Sequence, residues 1–277
     1  LASNYGIKRS KVTGNVHRYL HLEPSKNMIQ RLLWDYSDLK KIKRLILEFH
    51  PDIIYLFHVC QLTRSLLPFL KNFHIPILYD EGGNGLILAW QRHGRWLSFC
   101  EQQSKKKWKN KFRDRICKLV SFLSGGILPN QWEIPKMQVY FNSKFSCKRT
   151  INAGVNLQDP QIVYSGIDLS KFPFFERKQL GHQLRFVIPG RISERKGITE
   201  AVESIKTLKK RFLDRHFLLY IVGPIQDKGY YEILKKLIKE EQLEDNVVFI
   251  HDVPHDEMYK IYKNADFCLL LTKFESF

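Results

Sequence analysis

The sequence has no apolar run near the roughly 18 residues that a membrane-crossing helix needs, and its N-terminus lacks the charged, apolar and small-residue order of a signal peptide. No spanning helix is expected. The chain does not begin with Met, and Leu1 reads as an internal point of a longer protein. Cysteine is scarce: Cys60, Cys100, Cys117, Cys147 and Cys268 are odd in number and scattered, with neither CxxC nor Cys/His metal spacing. That argues against a disulfide scaffold and a zinc module, and fits a reduced, cytosolic setting. Acidic residues are in short supply, 28 against 45 Lys and Arg, for a formal charge of +17. Such an excess favours polyanions: nucleic acid, anionic lipid or phosphorylated ligands. Short repeats and low-complexity segments are absent as well.

The 277 residues are 44% hydrophobic and 13% aromatic, enough for packed cores and for two domains on length. From Asn27 to Phe49, Ile29, Leu32, Tyr36, Leu39, Ile42, Ile46 and Phe49 recur every three or four positions, which predicts a helix. His50-Pro51-Asp52 ends it, and the compact run Ile53 to Phe57 predicts a buried strand. A helix over about 63–73 and a strand over 77–79, ending in Asp80-Glu81-Gly82-Gly83, complete a βαβ unit. Residues 86–123 predict a helical stretch carrying the densest charge, Lys105 to Lys111, interleaved with Trp90, Trp96 and Trp108. A strand over 138–141, a helix over 144–152 and a strand over 161–164 follow. Pro173 and the polar run Glu176-Arg177-Lys178-Gln179 then predict a linker, dividing 1–180 from 181–277. In the second part strands over 184–188, 217–222, 247–250 and 267–271 alternate with helices over 197–212, 230–239 and 256–265. The expected class is α/β, with two Rossmann-like parallel-sheet domains.

Three segments of the second domain lie just past strand ends, where open parallel sheets bind ligands. In Gly190-Arg191-Ile192-Ser193-Glu194-Arg195-Lys196-Gly197, Gly190 lets backbone approach a ligand, Arg191 offers a fork for phosphate oxygens and Lys196 a mobile charge. Gly197 opens a helix whose N-terminal amides attract anions. A solvated basic loop accounts for that segment about equally well. In Ile221-Val222-Gly223-Pro224 a glycine would let a base or ribose pass without meeting a side chain, although a turn glycine is the commoner reason. In Thr272-Lys273-Phe274-Glu275-Ser276-Phe277 a carboxylate could accept hydrogen bonds from sugar hydroxyls, where an exposed Glu is the plainer reading. All three fall on one edge of one sheet, and together they describe a pocket for a sugar nucleotide. His58, His251 and His255 also sit near strand ends; acid/base work is open to each, but a structural role is favoured.

These residues resemble the group 1, or family 4, glycosyltransferases of GT-B architecture, and the resemblance covers most of the chain. It rests on Pro51-Asp52-Ile53-Ile54-Tyr55, on Asn142-Ser143 before a helix, on Ser165-Gly166-Ile167-Asp168 with Phe172, and most strongly on Gly190-Arg191, Lys196-Gly197, Val222-Gly223, Ala265-Asp266 and Phe274-Glu275-Ser276-Phe277. It implies two domains facing across a cleft. Arg191 and Lys196 would clamp the donor diphosphate, and Glu275 would be the first member of the family's paired glutamates and contact the transferred sugar. Gly190, Gly223, His251, Asp252, Val253 and Ser276 would border the donor. Ser165 stands where the family has Asn, and Asp80-Glu81 where many members show an acceptor-side His, so Asp80 and Glu81 are acceptor-side candidates only. The second glutamate would lie beyond Phe277, so the chain reads as truncated at both ends and inactive as it stands.

The function implied is transfer of a glycosyl group from a nucleoside diphosphate sugar to an acceptor hydroxyl, with retention, in glycan or cell-envelope polysaccharide synthesis. No metal or other cofactor is required, because fixed cations meet the leaving diphosphate. A glycan or lipid-linked acceptor and an anionic membrane under the basic segment 92–118 are the expected partners, with a cytoplasmic location against the inner face of the membrane. Nucleic acid is not. The competing reading is a basic nucleic-acid-binding or scaffolding protein, which the charge favours but no motif supports.

Overall fold

The computed structural model describes residues 2–3, 11–13, 16–18, 20–21, 27–57, 62–91, 94–176, 180–273 and 275. Its contacts divide the chain into two compact units, with the division between Ser165 and Gly166. That point precedes the linker expected around 173–180.

The first unit opens with a small three-stranded sheet that the sequence pattern had not indicated, β1 (Ala2–Ser3), β2 (Lys11–Thr13) and β3 (Val16–Arg18), in the order β1-β3-β2. Helix α1 (Met28–Phe49) follows. Asn27 caps it by accepting the Gln30 N–H at 2.7 Å, and His50 ends it at φ 43°, directly before Pro51, whose ring cannot continue a helix. Four parallel strands come next, β4 (Ile54–Phe57), β5 (Ile77–Glu81), β6 (Gln138–Phe141) and β7 (Gln161–Ile162), ordered as in the sequence. The core is built on Leu39, Leu56, Tyr79, Val139 and Phe141, with α2 (Leu66–Leu70) packed into it.

The helical stretch expected over 86–123 consists of three helices, α3 (Gly85–Gln91), α4 (Gly94–Glu101) and α5 (Lys107–Leu123). Hydrophobic periodicity runs through the breaks, but local polar chemistry overrides it. The Asn110 amide accepts the Ser104 N–H at 2.8 Å and donates to the Ser104 carbonyl at 2.9 Å, while Arg113 donates to Asn110 at 2.8 Å. A side chain thus satisfies backbone groups that would otherwise extend the helix ladder. The segment after α5 is tied back by the Trp96 indole, which donates to the Pro129 carbonyl at 2.7 Å. Helix α6 (Lys144–Asn152) begins at Ser143, whose hydroxyl caps the Ser146 N–H.

The second unit holds β8 (Gln183–Pro189), α7 (Ile198–Arg211), β9 (His216–Val222), α8 (Lys228–Glu240), β10 (Val247–Ile250), α9 (Met258–Asn264) and β11 (Phe267–Cys268). The last strand and β7 are shorter than the apolar runs suggested. All four strands are parallel, in the order β10-β9-β8-β11. The chain therefore winds outward from β8 through β9 to β10 and then returns to the other side of β8. Ile198, Val202 and Ile205 of α7 and Leu234 and Ile238 of α8 bury their stripe against Leu219 and Ile221. At the amino end of the sheet Asp266 accepts the Arg185 N–H at 2.7 Å and returns its own N–H to the Arg185 carbonyl at 2.6 Å, which pins β11 to β8.

Candidate functional site

Because β9 and β11 lie on opposite sides of β8, the strand order reverses at β8, and the carboxyl edge there is the crevice where doubly wound folds take ligands. Two glycines shape it. Gly190 follows β8 at φ 134° and Gly223 follows β9 at φ 147°, and a Cβ on Gly223 would overlap the Gly190 carbonyl. The two turns press together, and only glycine permits that approach. Gly197, at φ 68° before α7, has the Leu271 carbonyl where its Cβ would be, so the segment after β11 lies against the start of α7.

That contact delivers Glu275 to Lys196. The Lys196 stem runs beside Gly190, a Cβ on which would stand 3.3 Å from Cε, and its Nζ donates to Glu275 Oε1 in a half-buried ion pair. Thr272 Oγ1 donates to the same oxygen at 3.2 Å. Burial alone would raise the Glu275 pKa, but the hydrogen bond and charge of Lys196, then Thr272 and Arg195, outweigh it and hold the carboxyl below its ordinary range. Lys273 pairs with Glu194 at 2.9 Å and donates its backbone N–H to the Arg195 carbonyl at 2.9 Å, a second fastening between the same two segments. Arg191 is exposed and makes no ion pair among the described residues. This edge therefore carries an ammonium held by a carboxylate, with the exposed Arg191 and Arg195 on the same segment as Lys196, while the Thr199 N–H at the start of α7 is taken by the Tyr230 hydroxyl at 3.1 Å.

On the other side of Gly223, His251 Nδ1 lies 3.2 Å from the Gly223 carbonyl and its Nε2 3.4 Å from the Tyr231 hydroxyl. A carbonyl can only accept, so the ring donates from Nδ1 to the Gly223 carbonyl, with Nε2 turned toward the Tyr231 hydroxyl. His251 thereby holds the glycine turn. Asp252 beside it is exposed at φ 56°, and Val253 packs against Val187 and Val222. Ser276 lies outside the described residues, as does His58.

In the first unit the adjacent acids separate. Glu81 is fully buried, and its carboxylate accepts the N–H groups of Gly83 at 2.8 Å, Gly85 at 3.0 Å and Leu86 at 2.6 Å. It caps α3, and its oxygens are occupied within the fold. Asp80 is half-buried at the carboxyl edge and accepts the Tyr55 hydroxyl at 2.5 Å, a hydrogen bond that raises the Tyr55 pKa. Of the two, Asp80 is the one left facing solvent.

Residues 173–277 match the model of the family Glycosyl transferases group 1. The chain is similar to this family over 105 of its 277 residues. It is 28% identical over 105 residues to the putative colanic acid biosynthesis glycosyltransferase WcaL of Salmonella typhimurium, a stretch that spans 38% of this chain and 25% of that protein. Across both units the fold is that of GT-B enzymes. The crystal structure of Anabaena Alr3699/HepE in complex with UDP-glucose superposes on 90% of this chain and 60% of its own at a TM-score of 0.56 and 16% identity. That of WaaG, a glycosyltransferase involved in lipopolysaccharide biosynthesis, covers 93% and 62% at 0.54 and 14%. The chain thus spans a quarter of the curated relative and about three fifths of these structures.

Within the second unit the structure gathers Gly190, Lys196, Gly223, His251 and Glu275 around one edge of the sheet. Sequence reasoning missed Tyr231 and the fastening of Lys273 to Glu194. Tyr231 sits early in α8 next to Tyr230, which is core, and no spacing distinguishes the two. The Lys273–Glu194 pair joins residues 79 apart, a proximity that exists only once β11 lies beside β8.

Proposed function

We propose that this protein transfers a glycosyl group, with retention, from a nucleoside diphosphate sugar to an acceptor hydroxyl of a glycan or lipid-linked precursor in envelope polysaccharide synthesis. The observation that carries the reading is the Lys196–Glu275 pair past the carboxyl ends of β8 and β11, with the exposed Arg191 on the segment that bears Lys196. The UDP-glucose bound to HepE makes a uridine diphosphate sugar the donor to test first.

In this mechanism the donor diphosphate lies against Arg191, Lys196 and the amides that start α7, and the glycine turns at Gly190 and Gly223 leave room for it. Asp252 and Val253 border the base, and Ser276 adds a hydroxyl on the sugar side. As the bond from the anomeric carbon to the diphosphate oxygen breaks, charge builds on the leaving oxygen, and fixed cations stabilise it without a metal. Glu275 then turns from Lys196 to the hydroxyls of the transferred sugar, so donor binding exchanges one partner of Lys196 for another. Asp80 stands in the first unit as the group that orients an acceptor. The +17 charge supports a cytoplasmic position against an anionic membrane surface.

Calorimetry of UDP binding to the chain tests the reading. Lys196→Ala and Arg191→Ala are each expected to weaken UDP by about tenfold to a hundredfold, the loss of one charge-assisted phosphate contact of about 1.5–3 kcal/mol. Unchanged affinity in both variants, or single-stranded oligonucleotide binding without UDP binding, overturns the assignment.

A further inference from the structure

Helix α5 presents two faces that differ in kind. Its inner face, Asn110, Arg113, Cys117 and Val120, is turned to α4 and the loop before α5, with Cys117 and Val120 packed in the small cluster around Trp96 and Leu97. Its outer face is also apolar. Trp108, Phe112, Leu119, Phe122 and Leu123 are each between 55% and 80% exposed. At the helical rotation per residue they fall within one arc of about 100°, interrupted only by Arg115. Isolated exposed apolar residues are ordinary, but a contiguous stripe marks a surface that meets something. Lys107, Lys111 and Lys118 line one side of the stripe and Lys109 the other, and between 105 and 118 eight cationic residues face a single acid, Asp114.

We propose that α5 is an interfacial helix that lies in the plane of an anionic membrane, with the Trp108 to Leu123 stripe among the acyl chains and the flanking lysines at the headgroup phosphates. The inference deepens the membrane-surface part of the proposed function by assigning it to one element. Two features select the membrane over other occupants. A nucleic acid would engage the lysines and leave five large apolar side chains in water, and a second copy of the same helix would bring like charges together along the seam. A bilayer surface satisfies both at once, because its outer layer is anionic and the layer beneath it apolar. Lysine stems can lie along the apolar boundary with their ammonium groups in the headgroups, and Trp108 at the start of the helix suits the interface.

The test is co-sedimentation of the 277-residue chain with vesicles of phosphatidylcholine alone or mixed with phosphatidylglycerol, alongside calorimetry of UDP. The wild type is expected to partition at least about tenfold better to the anionic vesicles and to lose that preference in high salt. Phe122→Asp with Leu123→Asp is expected to lower partition about a hundredfold, since two inserted side chains become charges. Trp108→Ala is the second variant, with a smaller loss and a smaller fluorescence blue shift on vesicle addition. Equal binding by wild type and the double variant overturns the proposal, as does equal recovery on neutral and anionic vesicles. A lipid-free dimer that the double variant dissolves, without vesicle binding, also overturns it, as does oligonucleotide binding that the double variant retains without vesicle binding. The two readings fail separately: UDP binding without vesicle binding removes the membrane assignment alone, and vesicle binding without UDP binding removes the donor site alone.

Discussion

At the scale of single residues, Lys196 and Glu275 illustrate how a site can be stored in neutralised form. Each charge is half-buried and neutralises the other, so neither is left as an isolated, partly desolvated charge. Because Lys196 and Thr272 hold the Glu275 pKa below its ordinary 4.5, folding favours the ionised carboxylate. The linked stability is present above that ordinary value and is lost as pH falls through the lower folded one. Denaturant unfolding measured from pH 7 downward is expected to show a stability loss in this acid range that Glu275→Gln lacks. The size is about 1 kcal/mol or less, since the pair is partly solvated. Identical acid slopes in both proteins would mean that the pair contributes nothing. Glycine is required at 197 and 223 because a Cβ there would overlap a carbonyl oxygen of a neighbouring turn, and favoured at 190 by its φ of 134°.

At the scale of elements, the starts of helices absorb much of the polar chemistry. Glu81 does at α3 what Asp227 does at α8 and Ser143 at α6, except that it takes three N–H groups and is fully buried. Glu81→Ala would strand those donors away from water, at a cost of about 3 kcal/mol or more. A fall in the denaturation midpoint of that order is expected. A change below about 0.5 kcal/mol, the range of ordinary surface substitutions, would show that water replaces the carboxylate. The acceptor-side reading of Glu81 rested on its position at a strand end, and that position was correct. What spacing could not reveal is that α3 starts at once, at Gly85, and turns its free amides onto the carboxylate.

At the scale of the whole molecule, each unit has a sheet and a hydrophobic cluster of its own: Leu39 to Cys147 in one, Leu184 to Val247 in the other. The residues proposed to meet the donor, from Gly190 to Glu275, fall in the second unit, 166–275. Expressed alone, 166–275 is expected to unfold cooperatively and to gain thermal stability with UDP, as any ligand of the native state confers. A broad, non-cooperative melt would show that its core depends on the first unit. No helix among the described residues is long and apolar enough to cross a membrane.

The sequence by itself determined the alternation of strands and helices and the position of each glycine and charge relative to a strand end. Side-chain period and turn chemistry are local, and a parallel sheet puts every strand's carboxyl end on one edge. The break of 86–123 into three helices escaped it, because periodicity is blind to an Asn side chain that replaces the helix ladder at Ser104. Only the tertiary structure decided which residues meet. Lys196 and Glu275 are 79 positions apart and touch because β11 crosses back to the free side of β8. The two acids 80 and 81 look alike in sequence, yet alternate residues of a strand face opposite sides, so one meets Tyr55 in solvent while the other is closed in beneath α3.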